Sequence, residues 1–279
     1  MIADWQTNSV FFSDLLLGRH PSIWQALEAL LHRYGIPVSL VAGCKDIWVR
    51  DFLPVQIGQN RFVKFAYEPD YLRGYEHLTT GNDVLEHLPD LGQCTMSDLL
   101  VDGGNVVASK DTVVLTDKVF RENPGRSPAE VMAALHDLLE VEMVVIIPTD
   151  PDDEIGHSDG VVRFLDGRTV AINDYQAVNP RYGKKLAAVL EGHGLECVSL
   201  PYFVEDHQQD GISSAAGNYA NFLRIGDLVI LPAYDVASDE VAARRLEQAL
   251  PGSTIASVPC LKLAREGGVL NCVSWTVLR

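Results

Sequence analysis

The chain is poor in cations: 22 lysines and arginines stand against 38 aspartates and glutamates, a net charge of −16 at neutral pH over 279 residues. That balance argues against nucleic acid or an anionic membrane as a partner, and it favours inward steering of a cationic ligand. Paired cysteines are missing as well. The five cysteines, at 44, 94, 197, 260 and 272, are odd in number and form no Cys-x-x-Cys, so neither a zinc ribbon nor a disulfide framework is expected. No apolar run approaches the roughly 18 residues that a membrane span needs, and the opening Met1-Ile2-Ala3-Asp4-Trp5 carries no basic cluster. These absences predict a cytoplasmic, reduced protein with free thiols and neither metal nor cofactor. Linkers, low-complexity segments and long charge runs are absent too, and a hydrophobic content of 47% can fill a sizeable core. A single domain over 1–279 is expected.

What is present is a recurrence. Five polar motifs, Trp48-Val49-Arg50-Asp51, Asp102-Gly103-Gly104-Asn105, Gly156-His157-Ser158-Asp159, Asn218-Tyr219-Ala220-Asn221 and Gly267-Gly268 with Cys272, lie at nearly equal spacing. From Asp51 to Gly104, His157, Asn218 and Cys272 the intervals are 53, 53, 61 and 54 residues. A period slightly above 50 predicts a ring or array of similar units rather than two unrelated domains. Each unit reads as helix, strand, motif, strand, turn, strand. The first has a helix capped by Ser22 and carrying Trp24, Leu27, Leu30 and Leu31 on one face, closed at Gly35. A buried strand over Val38–Val41 follows, and strands are expected at 54–57 and 61–67. The second has a helix near 82–88 and strands at 97–101, 105–109 and 112–116. The third has a helix from Ser127 to Glu140, with Pro128 at its first position, and strands at 143–147, 160–165 and 169–173. The fourth has a helix at 181–191, strands at 195–200, 221–225 and 228–232, and a polar loop at 204–217. The stretch 204–211 of that loop is a candidate lid. The fifth has a helix at 238–249 and strands at 254–258 and 272–278, but lacks its last strand. Residues 9–17 read as a strand without a neighbour, and placing them in the fifth unit closes the ring. Each motif is expected between the first and second strand of its unit, so that all five reach one mouth.

The chemistry follows from what that mouth would hold. A thiol at Cys272 needs to become a thiolate, and carboxylates crowded around it would hinder that unless the substrate brings a positive charge. A planar guanidinium satisfies the condition, since its N–H fork pairs with carboxylates. Asp51 and Asp159 are expected to grip it, Cys272 to attack its central carbon, and His157 to protonate the departing amine and then activate water. Asn105, Asn218 and Asn221 are expected to satisfy loop backbone instead.

These motifs resemble the agmatine deiminase and bacterial peptidylarginine deiminase family of the guanidino-group-modifying (pentein) superfamily. The likeness rests on Trp48, Arg50, Asp51 and Pro54, on Gly156, His157, Asp159, Arg163 and Phe164, on Tyr219, Asn221 and Phe222, and on Gly267, Gly268 and Cys272. It implies an α/β fold, a five-fold pseudosymmetric α/β-propeller with the N-terminal strand completing the fifth unit. It also implies hydrolysis of a small guanidino compound to a ureido product and ammonia through a covalent cysteine intermediate. Asp102, Trp48, Arg50, Gly268 and Asn271 are expected against the substrate, a small guanidino cation; homo-oligomerisation is left open. Three positions depart from the family pattern: Asn271 stands where histidine is usual, Asp102 where glutamate is, and Leu53 where glycine is. Two other readings stay open, an amidinotransferase with the same intermediate and a binding-only pentein. A Cys/His/Asp metal site is disfavoured, because no second cysteine or histidine lies close by.

Overall fold

The computed structural model describes residues 1–88 and 91–279. Short β-branched runs such as Thr112-Val113-Val114-Leu115-Thr116 and Met143-Val144-Val145-Ile146-Ile147 form its strands, as side chains stiff at χ1 favour. Two strands come first, β1 (Ser9–Ser13) and β2 (Val38–Val41). Three triplets follow: β3 (Val55–Gly58), β4 (Arg61–Ala66) and β5 (Gln93–Leu100); β6 (Val107–Ala108), β7 (Thr112–Thr116) and β8 (Met143–Ile147); β9 (Val162–Phe164), β10 (Thr169–Asn173) and β11 (Glu196–Leu200). A short hairpin, β12 (Gln208–Gln209) and β13 (Ile212–Ser213), precedes β14 (Leu223–Ile225), β15 (Leu228–Ala233) and β16 (Thr254–Pro259), and β17 (Trp275–Val277) comes last.

The strands assemble into five three-stranded sheets, ordered β3-β4-β5, β6-β7-β8, β9-β10-β11, β14-β15-β16 and β17-β1-β2. All five have the same wiring. The first pair is antiparallel and the second parallel. A parallel pair requires a crossover, and helices Pro21–Arg33, Pro128–Leu139, Pro180–Gly192 and Ala237–Ala249 supply four of the five. The N-terminal strand does pair with the last one, Phe11 opposite Trp275, and with β2 on its other edge. Helix Pro128–Leu139 shows how a unit is held. Ser127 and Glu130 cap each other, Ser127 N–H donating to Glu130 Oε2 at 2.7 Å, while Val131, Leu135 and Leu139 are fully buried. Each such side chain contributes about 1.5–3 kcal/mol.

Several sequence expectations need correction. The strand expected over 9–17 stops at Ser13, because the Ser13 hydroxyl accepts from Leu15 N–H at 3.2 Å and starts the short helix Leu15–Arg19. His20, not Ser22, caps the next helix, with Pro21 pre-set at its first position. β2 is largely solvent-facing, with only Val41 buried. The expected helix near 82–88 is a 3-10 segment, Asn82–His87, in which Val84 alone is buried, so it has no apolar stripe to dock. The polar loop at 204–217 carries the β12–β13 hairpin. The last strand begins at Trp275 rather than at Cys272, which lies in the preceding turn. The strand before each motif and the strand after it belong to different sheets. The motifs are therefore the links by which the chain leaves one sheet for the next, and the fifth link returns to the sheet that holds β1.

All five cysteines are unpaired. No helix among the described residues is long and apolar enough to cross a membrane. Phe12, fully buried in β1, meets Trp24 edge to face at 5.7 Å between ring centroids. Phe12→Ala is expected to destabilise the fold by about 3–5 kcal/mol. Urea unfolding checks this, and a loss under 1 kcal/mol would remove β1 from the cooperative core.

Candidate active site

The five links converge through backbone contacts. The first forms one helical turn, Val49–Phe52, and Arg50 N–H donates to the Cys272 carbonyl at 3.1 Å, which ties it to the fifth. Gly104 N–H donates to Asp51 Oδ1 at 3.2 Å. A Cβ at Gly104 would lie 2.5 Å from that oxygen and 2.6 Å from His157 Nδ1, so only glycine admits both groups. Asn105 Oδ1 accepts from Ser158 N–H at 3.1 Å and from Thr116 N–H at 2.9 Å, joining the second link to the third. Asn218 donates to the Gly160 carbonyl at 2.8 Å. Asn105 and Asn218 thus serve backbone. Asn221 does more: its Nδ2 donates to the Asp159 carbonyl at 3.1 Å, and its Oδ1 accepts from Asn271 N–H at 3.2 Å and from the Cys272 thiol at 3.3 Å.

His157, Asp51, Asp159 and Cys272 are brought together on this frame. His157 is buried; its Nε2–H donates to Asp102 Oδ2 at 2.9 Å, and its Nδ1 faces Asp51 Oδ1 at 3.5 Å. Asp159 Oδ2 accepts from Asn271 Nδ2 at 2.6 Å and stands 3.8 Å from Cys272 Sγ. Gly268 lies against the turn of Cys272, where a Cβ would meet Trp48 Cζ3 at 2.6 Å and Cys272 Cβ at 3.1 Å. All six of these residues except Asn271 and Asp102 border one cavity of about 530 Å³, as do Trp48 and Gly268.

Burial and charge set the protonation states. Burial pushes the Asp51 carboxyl up to about 7; the His157 cation opposes the rise, and the Asp102 and Asp159 charges add to it. Burial would lower the His157 pKa, but the charge of Asp51 and the hydrogen bond and charge of Asp102 override it and hold the imidazole at about 9. Burial also works against the Asp102 charge, yet His157 and Lys118 bring its pKa below the ordinary carboxylate range. The Cys272 thiol is pushed well above its usual range by burial, then by the charges of Asp159 and Asp51. At neutral pH the unliganded site therefore holds an imidazolium and a neutral thiol.

Three residues expected against the substrate stand elsewhere. Asp102 lies behind His157, fixed between that imidazole and Lys118 Nζ at 3.0 Å, and does not border the cavity. Asn271 is 1% exposed and sits beneath the floor, where it orients Asp159. Arg50 turns its side chain away from the cavity, toward the Asn271 carbonyl and Thr276 Oγ1, each at 3.5 Å. The arginine is anchored by its backbone at Cys272, which leaves the guanidinium on the far side.

Other residues were missed. Tyr71 donates to Asp51 Oδ2 at 3.3 Å and sets its ring edge to face against His157, centroids 5.7 Å apart. Its signal was available: Tyr67, Tyr71 and Tyr75 recur at every fourth position, and all three border the cavity although no α-helix forms there. The β12–β13 hairpin forms another wall. Glu154 accepts from Ser213 N–H at 3.2 Å, and Glu205 pairs with Arg265 Nε at 3.0 Å, so both flanks of the hairpin are pinned. Among the described residues, ten carboxylic side chains border the cavity against one arginine, Arg19, which is itself bound to Asp46 and Glu266.

The architecture is shared with solved structures. A C. jejuni agmatine deiminase with substrate bound superposes with a TM-score of 0.80 at 18% identity, covering 100% of this chain and 96% of that one. An amidinotransferase from Microseira wollei gives 0.66 at 14% identity, over 100% and 96% of the two chains. The fold is thus of the pentein type. The chain belongs to the Porphyromonas-type peptidyl-arginine deiminase family, whose description matches residues 13–277. A candidate agmatine deiminase of Pectobacterium atrosepticum is 25% identical over 268 residues, which span 82% of this chain and 73% of that protein.

Titration of the His157 ring protons by NMR is expected to give a midpoint near 9. Asp102→Asn removes a carboxylate partner and should move that midpoint down. A midpoint near the ordinary histidine value in the unaltered protein would contradict the paired imidazolium.

Proposed function

We propose that this chain deiminates a small guanidino cation, releasing ammonia and a ureido product. The observation that carries the reading is the thiol of Cys272 against Asp159 and Asn221, bordering the same acidic cavity as His157 and Asp51. A neutral thiol among carboxylates is a poor nucleophile until a cation enters, and a guanidinium held by Asp51 and Asp159 is such a cation. Binding would then lower the thiol's pKa where it is needed, and the thiol proton passes to solvent as the cation enters. The thiolate attacks the central carbon, and the C–N bond to the departing nitrogen breaks as His157 gives that nitrogen its proton. The amidino group is left on sulfur. His157, now neutral, takes a proton from water, and the resulting hydroxide attacks the same carbon. The carbon–sulfur bond breaks to give the ureido product and the thiolate. Trp48 offers a flat wall for the guanidinium plane. The further carboxylates along the cavity, Asp150, Asp152 and Asp153 among them, favour a substrate whose far end is also cationic over one bearing a carboxylate. In this reading the five sheets stand as blades of one propeller, a single domain over 1–279, with the five links at its mouth.

Assays of ammonia and ureido product across agmatine, free arginine, arginine peptides and shorter guanidino acids test the proposal. Agmatine-like cations are expected to be turned over best, and Cys272→Ala to lose at least about 10⁴-fold in kcat while still folding. Turnover surviving in Cys272→Ala would exclude the covalent route, and product formed only with an added acceptor amine would make the enzyme an amidinotransferase. The pH profile is a second test. Asp51 must be ionised to hold the guanidinium, so kcat/KM rises as pH passes about 7; His157 must carry its proton, so kcat/KM falls as pH passes about 9. Asp51→Asn should remove the acid limb, and an unchanged limb would reassign it.

A further inference from the structure

Lys118 opens the short helix Lys118–Glu122 and is 1% exposed, deep enough that its ammonium must be paired to be tolerated. Three carboxylates meet it: Glu122 Oε1 at 2.6 Å, Asp102 Oδ2 at 3.0 Å and Asp70 Oδ1 at 3.0 Å. Its Nζ also stands 5.0 Å from the centroid of the Tyr71 ring. Two of these contacts lead into the site. Asp102 Oδ2 is the same oxygen that receives His157 Nε2–H, and Tyr71 both donates to Asp51 and packs on His157. Asp70 and Tyr71 share a single 3-10 turn in the one crossover without an α-helix. Regular structure does not hold that turn in place. Lys118 does, through Asp70 and the Tyr71 ring, and it borders no part of the cavity itself.

We propose that Lys118 is a positioning residue for the reaction, fixing Asp102 against His157 on one side and docking the Asp70–Tyr71 turn over Asp51 on the other. The proposal rests on the deimination reading for its kinetic consequences only. The charged and titratable groups facing His157 are Asp51, Asp102, Tyr71, Lys118, Glu122 and Asp153. Among them Lys118 opposes protonation of the imidazole, so its cation limits how tightly His157 keeps the proton it must release.

The test compares Lys118→Met and Lys118→Arg with the unaltered protein, by NMR titration of His157 and by kcat and KM across pH. Lys118→Met is expected to move the His157 midpoint downward, because an Asp102 no longer fixed by the cation gives up a hydrogen bond and charge that outweigh the lost repulsion, and to lower kcat by about 10²-fold, the low end of what a placed general acid–base contributes. Lys118→Arg should restore part of both. A folded Lys118→Met protein with an unmoved His157 midpoint and kcat within about twofold overturns the proposal, even if its Tm has dropped, because that pattern is mere structural support. If Lys118→Met fails to fold, Asp70→Asn decides: this half-exposed carboxylate can be neutralised without burying a new group, and the weakened docking should raise KM while leaving the His157 midpoint in place. An unchanged KM overturns it. An unaltered protein that turns over no guanidine ends the deimination reading, and the NMR comparison still tests Lys118.

Discussion

Everything in this site depends on placing several carboxylates around one imidazole away from water. Charges of one sign buried together are unstable unless cations or hydrogen bonds answer them. Here the answer is distributed. His157 sits between Asp51 and Asp102, Lys118 backs Asp102, and Asn271 and Asn221 hold Asp159 and Cys272. Asp51 is the member left least compensated, with a pKa near 7. The arrangement is therefore short of one positive charge. In the deimination reading, specificity and nucleophile activation both follow from that same shortage.

The sheets exist to hold this arrangement. The links between sheets carry polar residues on backbone contacts with the next link, as Asn105 does between Thr116 and Ser158. Such contacts use the side-chain amide for backbone groups that a turn would otherwise leave without partners. A frame of this kind fixes where polar side chains stand, and a misplacement of about 1 Å is enough to cost a reaction heavily.

The convergence of Asp51, His157, Asp159 and Cys272 was legible because period is a property of sequence: nearly equal spacing of polar motifs between apolar runs can be read without coordinates. The wiring of the sheets was legible only in part. A strand's neighbours are chosen by long-range pairing, so the regrouping of β5 with β4 rather than with β6 left no local trace. The direction of a side chain was harder still. Arg50 adjoins Asp51 in sequence, yet one helical turn sends the two to opposite sides of the cavity floor. Lys118 was invisible for a statistical reason: lysines are almost always at the surface, and the three carboxylates that make its burial tolerable come from three separate segments. Tyr71 lay in a stretch whose missing helix hid the meaning of its spacing.

The pairing of β1 with β17 has a consequence for how the protein comes into being. A ribosome delivers β1 long before the turn bearing Cys272, with some 260 residues between β1 and β17 in sequence. Through most of synthesis β1 can pair with β2 but keeps one edge open, with exposed backbone groups that invite the wrong partner. The sheet that flanks the Cys272 turn is not whole until β17 has joined β1, and the long wait of that open edge makes β1 and β17 the place where misassembly between neighbouring nascent chains would begin.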